Sequence, residues 1–382
     1  ILYRIATAMS AFMDVPECRY LYGSRHAWFL PSVTGGCTDN LEWLNIRGMS
    51  TAPVDVLNRL DIGVKEIASL LQEPPWAGYD LHAQLDQDEL EEFCRILTHP
   101  EIQSLIEKTA AESRRATLDY LRQEGLFDDC HWSLVDIGWL LNCQVALKRI
   151  LSVEQPDLQI HGYYLGVNRS YSRQCGEHDF TPFIMYSTDE LRNNNWVFKR
   201  HAIVTIEDVF TMADHPHVTG YHSDGGRMVP VFNQVTNSPD HQHLVNELHQ
   251  AITAYAQRIA AEPAILNNLD VFIDFALTNA ERYFTDPQRE DILPIRQVTT
   301  SFEQRHDERH QRRLVAELQV IDLLRIICFE LSGRKIIYNN PTHIWLGGSV
   351  ALSGKFIKLL FHVMKYFNKY LVRPLKSVWQ AT

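Results

Sequence analysis

Two short apolar runs constrain this chain more than any other feature. The first, Leu134-Val135, ends in Asp136-Ile137-Gly138-Trp139 and passes at once into helical spacing through Leu140, Leu141, Ala146, Leu147 and Ile150. The second, Asp157 to Val167, reads as a strong strand. Strand, tight loop, helix and strand at this spacing make one βαβ unit, so the two strands are expected to be parallel neighbours. Alternation of this kind points to an α/β architecture. Open α/β sheets bind ligands at the carboxyl ends of their strands, which makes the Asp136 loop the first place to look for a site.

Around that unit the spacing predicts helices over 2–13, from Ala27 onward, and over Thr51–Leu71 and Asp86–Leu97. A long helix is expected from Pro100 to Gln123, with Thr98 as N-cap, Pro100 in the first turn and Gly125 as the stop. Arg19–Tyr22, Leu41–Ile46 and Gln297–Thr300 read as short strands, and 168–200 as polar loops. A short helix is expected at Ile206–Met212. His217–Phe232 reads as a hairpin turning at Gly225-Gly226. Helices are expected over 240–261, 267–283 and 307–332. The fold class is therefore α/β, with a partly parallel sheet of Rossmann-like βαβ units, a mainly helical half and a C-terminal amphipathic helix. The expected divisions are 1–235, 236–348 and 349–382.

The composition, 382 residues at 45% hydrophobic and 22% charged, is that of a globular protein. The chain starts at Ile1 without a signal-peptide pattern, and reads as a fragment lacking its amino-terminal part. Seven cysteines, an odd number with no CxxC pair, fit reduced thiols in the cytoplasm. The net charge of −11 hides an asymmetry: the chain after Glu330 has no acidic residue and eight cations, which leaves −19 on the remainder. An acidic body argues against nucleic-acid binding.

The basic tail points elsewhere. On a helix turning about 100° per residue, Lys358, His362, Lys365, Lys369 and Arg373 share a narrow arc, and apolar residues fill the rest until Pro374. The lysines interrupt it too often for a bilayer span. It is expected to lie in the interface of an anionic leaflet, on the inner membrane face, with Lys355, Lys358, Lys365 and Lys369 meeting the anionic surface. The alternative is a helix packed on the body with its lysines in water.

Asp136 and Gly138 sit where the strand hands over to the helix. Loop amides at Ile137, Gly138 and Trp139 with the helix amino terminus would bind an anion, while Asp136 would hold a hydroxyl or a metal and serve as a catalytic group. The plainer alternative is that Asp136 caps the helix. Arg25 suits phosphate or carboxylate recognition, and His26 suits acid–base work near neutral pH. If Arg25 and Asp136 lie on adjacent strand ends, they would flank one sugar phosphate. The histidines at 215, 217, 222, 241 and 243 read as solvated residues, and no metal is expected. There is no Gly-x-Ser-x-Gly elbow, P-loop or Gly-x-Gly-x-x-Gly. No cofactor follows from the residues.

The ordered motifs Ser24-Arg25-His26, Val135–Trp139 with Gln144, Gly162–Gly166, Gly220-Tyr221 with Pro230-Val231, and Trp345–Ser349 resemble a known family. It comprises the carboxyl-terminal region of bacterial proteins described as haloacid dehalogenase-superfamily hydrolases and found beside glycosyltransferases. The resemblance runs over residues 1–352. It implies a protein handling a phosphosugar or nucleotide sugar in cell-surface polysaccharide assembly, as a transferase or hydrolase. The alternative is a non-catalytic membrane-associated scaffold for glycosyltransferases. It adds Ser24 and Gln144 to the expected ligand-binding set. The chain also departs from the pattern. No Asp-x-Asp stands at the end of an amino-terminal strand, where the phosphatase domain carries its nucleophile, His26-Ala27 replaces Asp-Gly, and Leu141-Asn142 replaces Gly-Thr.

Overall fold

A computed structural model describes residues 1–34, 44, 51–72, 75–168, 175–176, 178–186, 195–233, 239–301, 311–331 and 344–367. The amino-terminal helices are α1 (Leu2–Met9), α2 (Arg25–Phe29), α3 (Pro53–Arg59), α4 (Gln87–Ile96) and α5 (Pro100–Gln123). Helix α5 has the predicted limits. Pro100 needs no amide partner in the first turn, and Ile102, Ile106, Ala110, Thr117, Leu118 and Leu121 recur at helical spacing on its buried face. The cap is not the predicted one. The N-cap position is His99, without a side-chain bond, and Thr98 Oγ1 donates to Arg95 O.

The βαβ unit follows. Strand β1 (Ser133–Trp139), helix α6 (Asn142–Ser152) and strand β2 (His161–Asn168) lead to strand β3 (Phe180–Tyr186). All three strands are parallel in the order β1-β2-β3, with Asp136 opposite Tyr164 and Gly138 opposite Gly166. The chain is thus α/β, as its apolar runs required. Strand β3 lies where only loops were expected. It carries Pro182, which a sheet tolerates at an edge, and β3 is an edge strand.

Helix α7 (Arg200–Thr205) runs into a wide helical turn at Ile206–Phe210, closed by Thr211 N–H donating to Ile206 O at 2.8 Å. The hairpin β4 (Val218–Asp224) and β5 (Arg227–Phe232) turns at Gly225-Gly226 as expected. Then come α8 (Pro239–Ala260), α9 (Pro263–Leu266), α10 (Leu269–Thr285), α11 (Arg289–Ile292), the short antiparallel pair β6 (Thr299–Ser301) and β7 (Gln311–Arg313), α12 (Val320–Leu331), α13 (Leu346–Leu352) and α14 (Lys355–Phe367). Two expectations are corrected. Arg19–Tyr22 forms no strand, and the helix expected over 307–332 begins only at Val320, after a strand at Gln311–Arg313. The strand expected at Leu41–Ile46 lies outside the described residues except for Leu44, which is buried.

Two main cores result. One joins Ala27–Leu30, Leu57, Phe93, the inner face of α5, Leu147, Ile150 and Tyr221. The other joins Trp139, Ile184, Trp196, Val209, Phe284, Leu314 and Trp345. Helices beyond residue 235 therefore share a core with β1 and β3. The carboxyl end of β1 sits between the two. Among the described residues no helix is long and apolar enough to cross a membrane.

Candidate functional site

Asp136 lies near the carboxyl end of β1, half-buried, with its Oδ1 accepting the Ile137 N–H at 2.8 Å. The residue keeps some accessible surface, but its carboxyl is enclosed by protein. That desolvation pushes its pKa up to about 6, against the lowering effect of the Ile137 amide. The thiol of Cys143, in the first turn of α6, is pushed up to about 12 by burial and then by the charge of Asp136, which leaves it unreactive at neutral pH.

Two further carboxyls arrive from the turn at Ile206–Phe210. Glu207 Oε1 accepts Trp139 Nε1–H at 3.0 Å. Burial raises its pKa and the charge of Asp136 adds to this, while the Arg25 charge and the Trp139 bond work the other way. Asp208 accepts the Thr300 hydroxyl. Burial, then the charge of Glu207, hold it well above the usual carboxylate range, while the Arg25 charge works the other way. These two residues escaped the sequence reading. The acidic pair lies between buried Ile206 and Val209, a pattern that marks a half-buried turn, but nothing local says that the turn meets β1.

Arg25, the first residue of α2, is half-buried and makes no hydrogen bond or ion pair with a described residue. Its charge acts on Cys143, Glu207 and Asp208. Arg25 and Asp136 therefore both act on Cys143 and Glu207. The pairing differs from the expected one: the guanidinium bears on the carboxyls of the 206–210 turn, while burial and the Ile137 amide set the titration of Asp136.

The other expected residues serve the fold. Ser24 caps α2, accepting the Ala27 N–H at 3.0 Å and donating to Val218 O at 2.6 Å. His26 is buried in the molecule, with Nε2 3.9 Å from Asp61 Oδ2, so a catalytic role has no exposed ring to work with. Gln144 is buried and fully engaged. Its Nε2 donates to Ile160 O at 3.0 Å and Asp179 O at 2.8 Å, and its Oε1 accepts the Tyr164 hydroxyl. The 137–139 stretch belongs to β1 rather than to a loop. Ile137 has given its N–H to Asp136. Gly138 is required by the sheet, because at φ +130° a Cβ there would overlap Gly166 O. The amino terminus of α6 begins only at Asn142, after Leu141 in the left-handed region, and has no side-chain cap.

Of the histidines, His215 Nε2 meets the Tyr20 hydroxyl at 2.7 Å and His241 Nε2 meets Asp208 O at 3.1 Å. Among the described residues no three His, Cys, Asp or Glu side chains converge as a metal set. The usable chemistry is thus a carboxyl that exchanges a proton near pH 6, a second carboxyl oriented by an indole, and a guanidinium with no ion-pair partner among the described residues. No protein-family model matches the chain, and no curated protein shows significant similarity to it.

Proposed function

We propose that the protein binds a phosphorylated sugar or nucleotide sugar at the carboxyl end of β1 and acts on it as a transferase or hydrolase. The setting would be cell-surface polysaccharide assembly, as the resemblance to the haloacid dehalogenase-superfamily proteins found beside glycosyltransferases implies. One observation carries this reading: Asp136, with its pKa near 6, and Arg25, which has no ion-pair partner among the described residues, both act on the same neighbours, Cys143 and Glu207. Arg25 would take the phosphate. Asp136 would accept or return the proton of a sugar hydroxyl, since a group with a pKa close to the working pH does this best. Glu207, steadied by Trp139, would receive a second hydroxyl.

Calorimetric titration with a panel of sugar phosphates and nucleotide sugars tests binding. Arg25→Ala should weaken affinity by about tenfold or more, as loss of a charge-assisted phosphate contact does. Turnover should fall in Asp136→Asn with the fold intact. Heat-silent titrations across the panel would end the proposal.

A second reading, a non-catalytic partner of glycosyltransferases, is favoured by the loop itself. Ile137 N–H is spent on Asp136, and Leu141 rather than glycine holds the left-handed position. This reading expects Asp136→Asn to leave complex formation unchanged. Both readings include peripheral attachment to an anionic inner membrane face through Lys355, Lys358, Lys365 and Lys369. The Lys365 side chain and Lys369 lie outside the described residues.

A further inference from the structure

Helix α14 has two apolar faces, and among the described residues only one of them packs against the body. Ile357, Leu360, Phe361 and Met364 pack with Leu323 and Ile326 of α12 and Val350 of α13. Phe356, Leu359, Val363 and Tyr366 point outward, exposed at 64%, 63%, 55% and 66%. At about 100° per residue these four fall within a single arc of about 80°. Lys355 and His362 continue that arc on one border, followed by Lys358. A helix that only packed on the body would turn its apolar residues inward and its lysines to water. Here Phe356, Leu359 and Val363 lie outside that packing, in a continuous row beside cations.

We infer that this outer row enters the headgroup–acyl boundary of an anionic bilayer, with Lys355, Lys358 and His362 meeting lipid phosphates along its border. The inference rests on the attachment proposed above and assigns the face that enters the lipid to this outer row, since the opposite face packs on the body. Charge selects the occupant. The chain after Glu330 carries eight cations and no acidic residue, which suits a surface of uniform negative charge. The 13 described residues of the helix measure about 20 Å, long enough to lie in a bilayer interface. With the packed face inward and the exposed row outward, α14 would lie between the body and the lipid.

Cosedimentation with phosphatidylcholine vesicles, with and without phosphatidylglycerol, at low and high salt, tests this. The test pair is Leu359→Ser with Val363→Ser, at exposed positions where folding should be untouched. The control pair is Lys355→Glu with Lys358→Glu. Insertion requires anionic-vesicle binding that partly survives high salt and falls about tenfold or more in the serine pair. If high salt abolishes binding and the serine pair binds like wild type, insertion is refuted and electrostatic attachment stands. If no anionic vesicle binds, the attachment itself fails. A concentration-dependent dimer that the serine pair abolishes would assign the row to a second copy of the chain and overturn the lipid assignment.

Discussion

The Trp139 indole donates to the Glu207 carboxylate at 3.0 Å, across 68 residues of sequence. This bond ties the last residue of β1 to the wide turn that follows α7. Trp139 also belongs to the second core, whereas the Cys143-bearing helix α6 packs on the first. The carboxyl end of β1 is thus fixed from both sides, and the carboxyls of two distant segments share one locus as a result.

Removing the donor should be felt at once. Trp139→Phe leaves Glu207 enclosed without its partner, and the lost bond should cost about 1–3 kcal/mol. Glu207→Gln keeps an acceptor for the indole and should stay within about 1 kcal/mol of wild type. Urea unfolding of the two variants separates these outcomes. Equal losses would show that the indole acts through packing and not through its N–H.

Asp136 should leave a mark on the pH dependence of stability. Its pKa is about 6 in the folded protein against an ordinary 3.8. Between these values the native state holds the proton more tightly than the unfolded chain, so stability falls as pH rises through the window. The penalty is absent below about pH 4 and complete above about pH 6, where it amounts to about 1–3 kcal/mol. Asp136→Asn keeps an acceptor for Ile137 N–H and removes the charge. It should match wild type at about pH 4 and exceed its stability at neutral pH. Urea midpoints at the two pH values decide, and a gap of the same size at both would contradict the raised pKa.

The parts of this structure legible in the sequence are those set by local pattern. The β1–α6–β2 unit, α5 and the Gly225-Gly226 hairpin follow from apolar spacing and turn chemistry carried within each segment. Strand β3 was hidden because Pro182 interrupts it, and only its edge position makes that proline tolerable. At the site, the half-buried carboxyl of Asp136 was legible from its place at a strand end. Glu207 and Asp208 were not, since what raises their pKa is burial against segments far away in sequence. Gln144 and Ser24 looked like ligand residues because polar side chains near a strand end resemble a site. In the fold they satisfy backbone groups at the ends of β2, β4 and α2.

Two glycines should prove intolerant for reasons of contact. A Cβ on Gly138 would overlap Gly166 O, at a φ of +130° that L side chains rarely adopt. A Cβ on Gly166 would press into the Trp139 ring, which is itself buried. Backbone cannot give way as a flexible side chain can, so Gly138→Ala should be the worse of the two, costing about 3 kcal/mol or more. Gly220→Ala is the control, because nothing lies near its Cβ position. Thermal melts of the three variants should rank Gly138 below Gly166 and Gly166 below Gly220. A Gly138 variant as stable as the Gly220 control would refute the close strand approach.

Gln144 offers the clearest separation of fold from site. Its amide bridges the backbone at Ile160 and Asp179, the segments that lead into β2 and β3, and its oxygen takes the Tyr164 hydroxyl. Truncation in Gln144→Ala leaves two carbonyls and one buried phenol without their partner, a cost of about 2–4 kcal/mol when each loss is near 1 kcal/mol. Gln144→Glu keeps the acceptor but turns the donating end into a second oxygen facing two carbonyls, so it should be at least as damaging. A ligand residue would behave differently, losing affinity for sugar phosphates while the unfolding midpoint stayed fixed. Urea unfolding and calorimetric titration of the same Gln144→Ala sample distinguish the two roles. The geometry requires a lowered midpoint with unchanged affinity in the molecules that remain folded, and the reverse pattern would return Gln144 to the binding set.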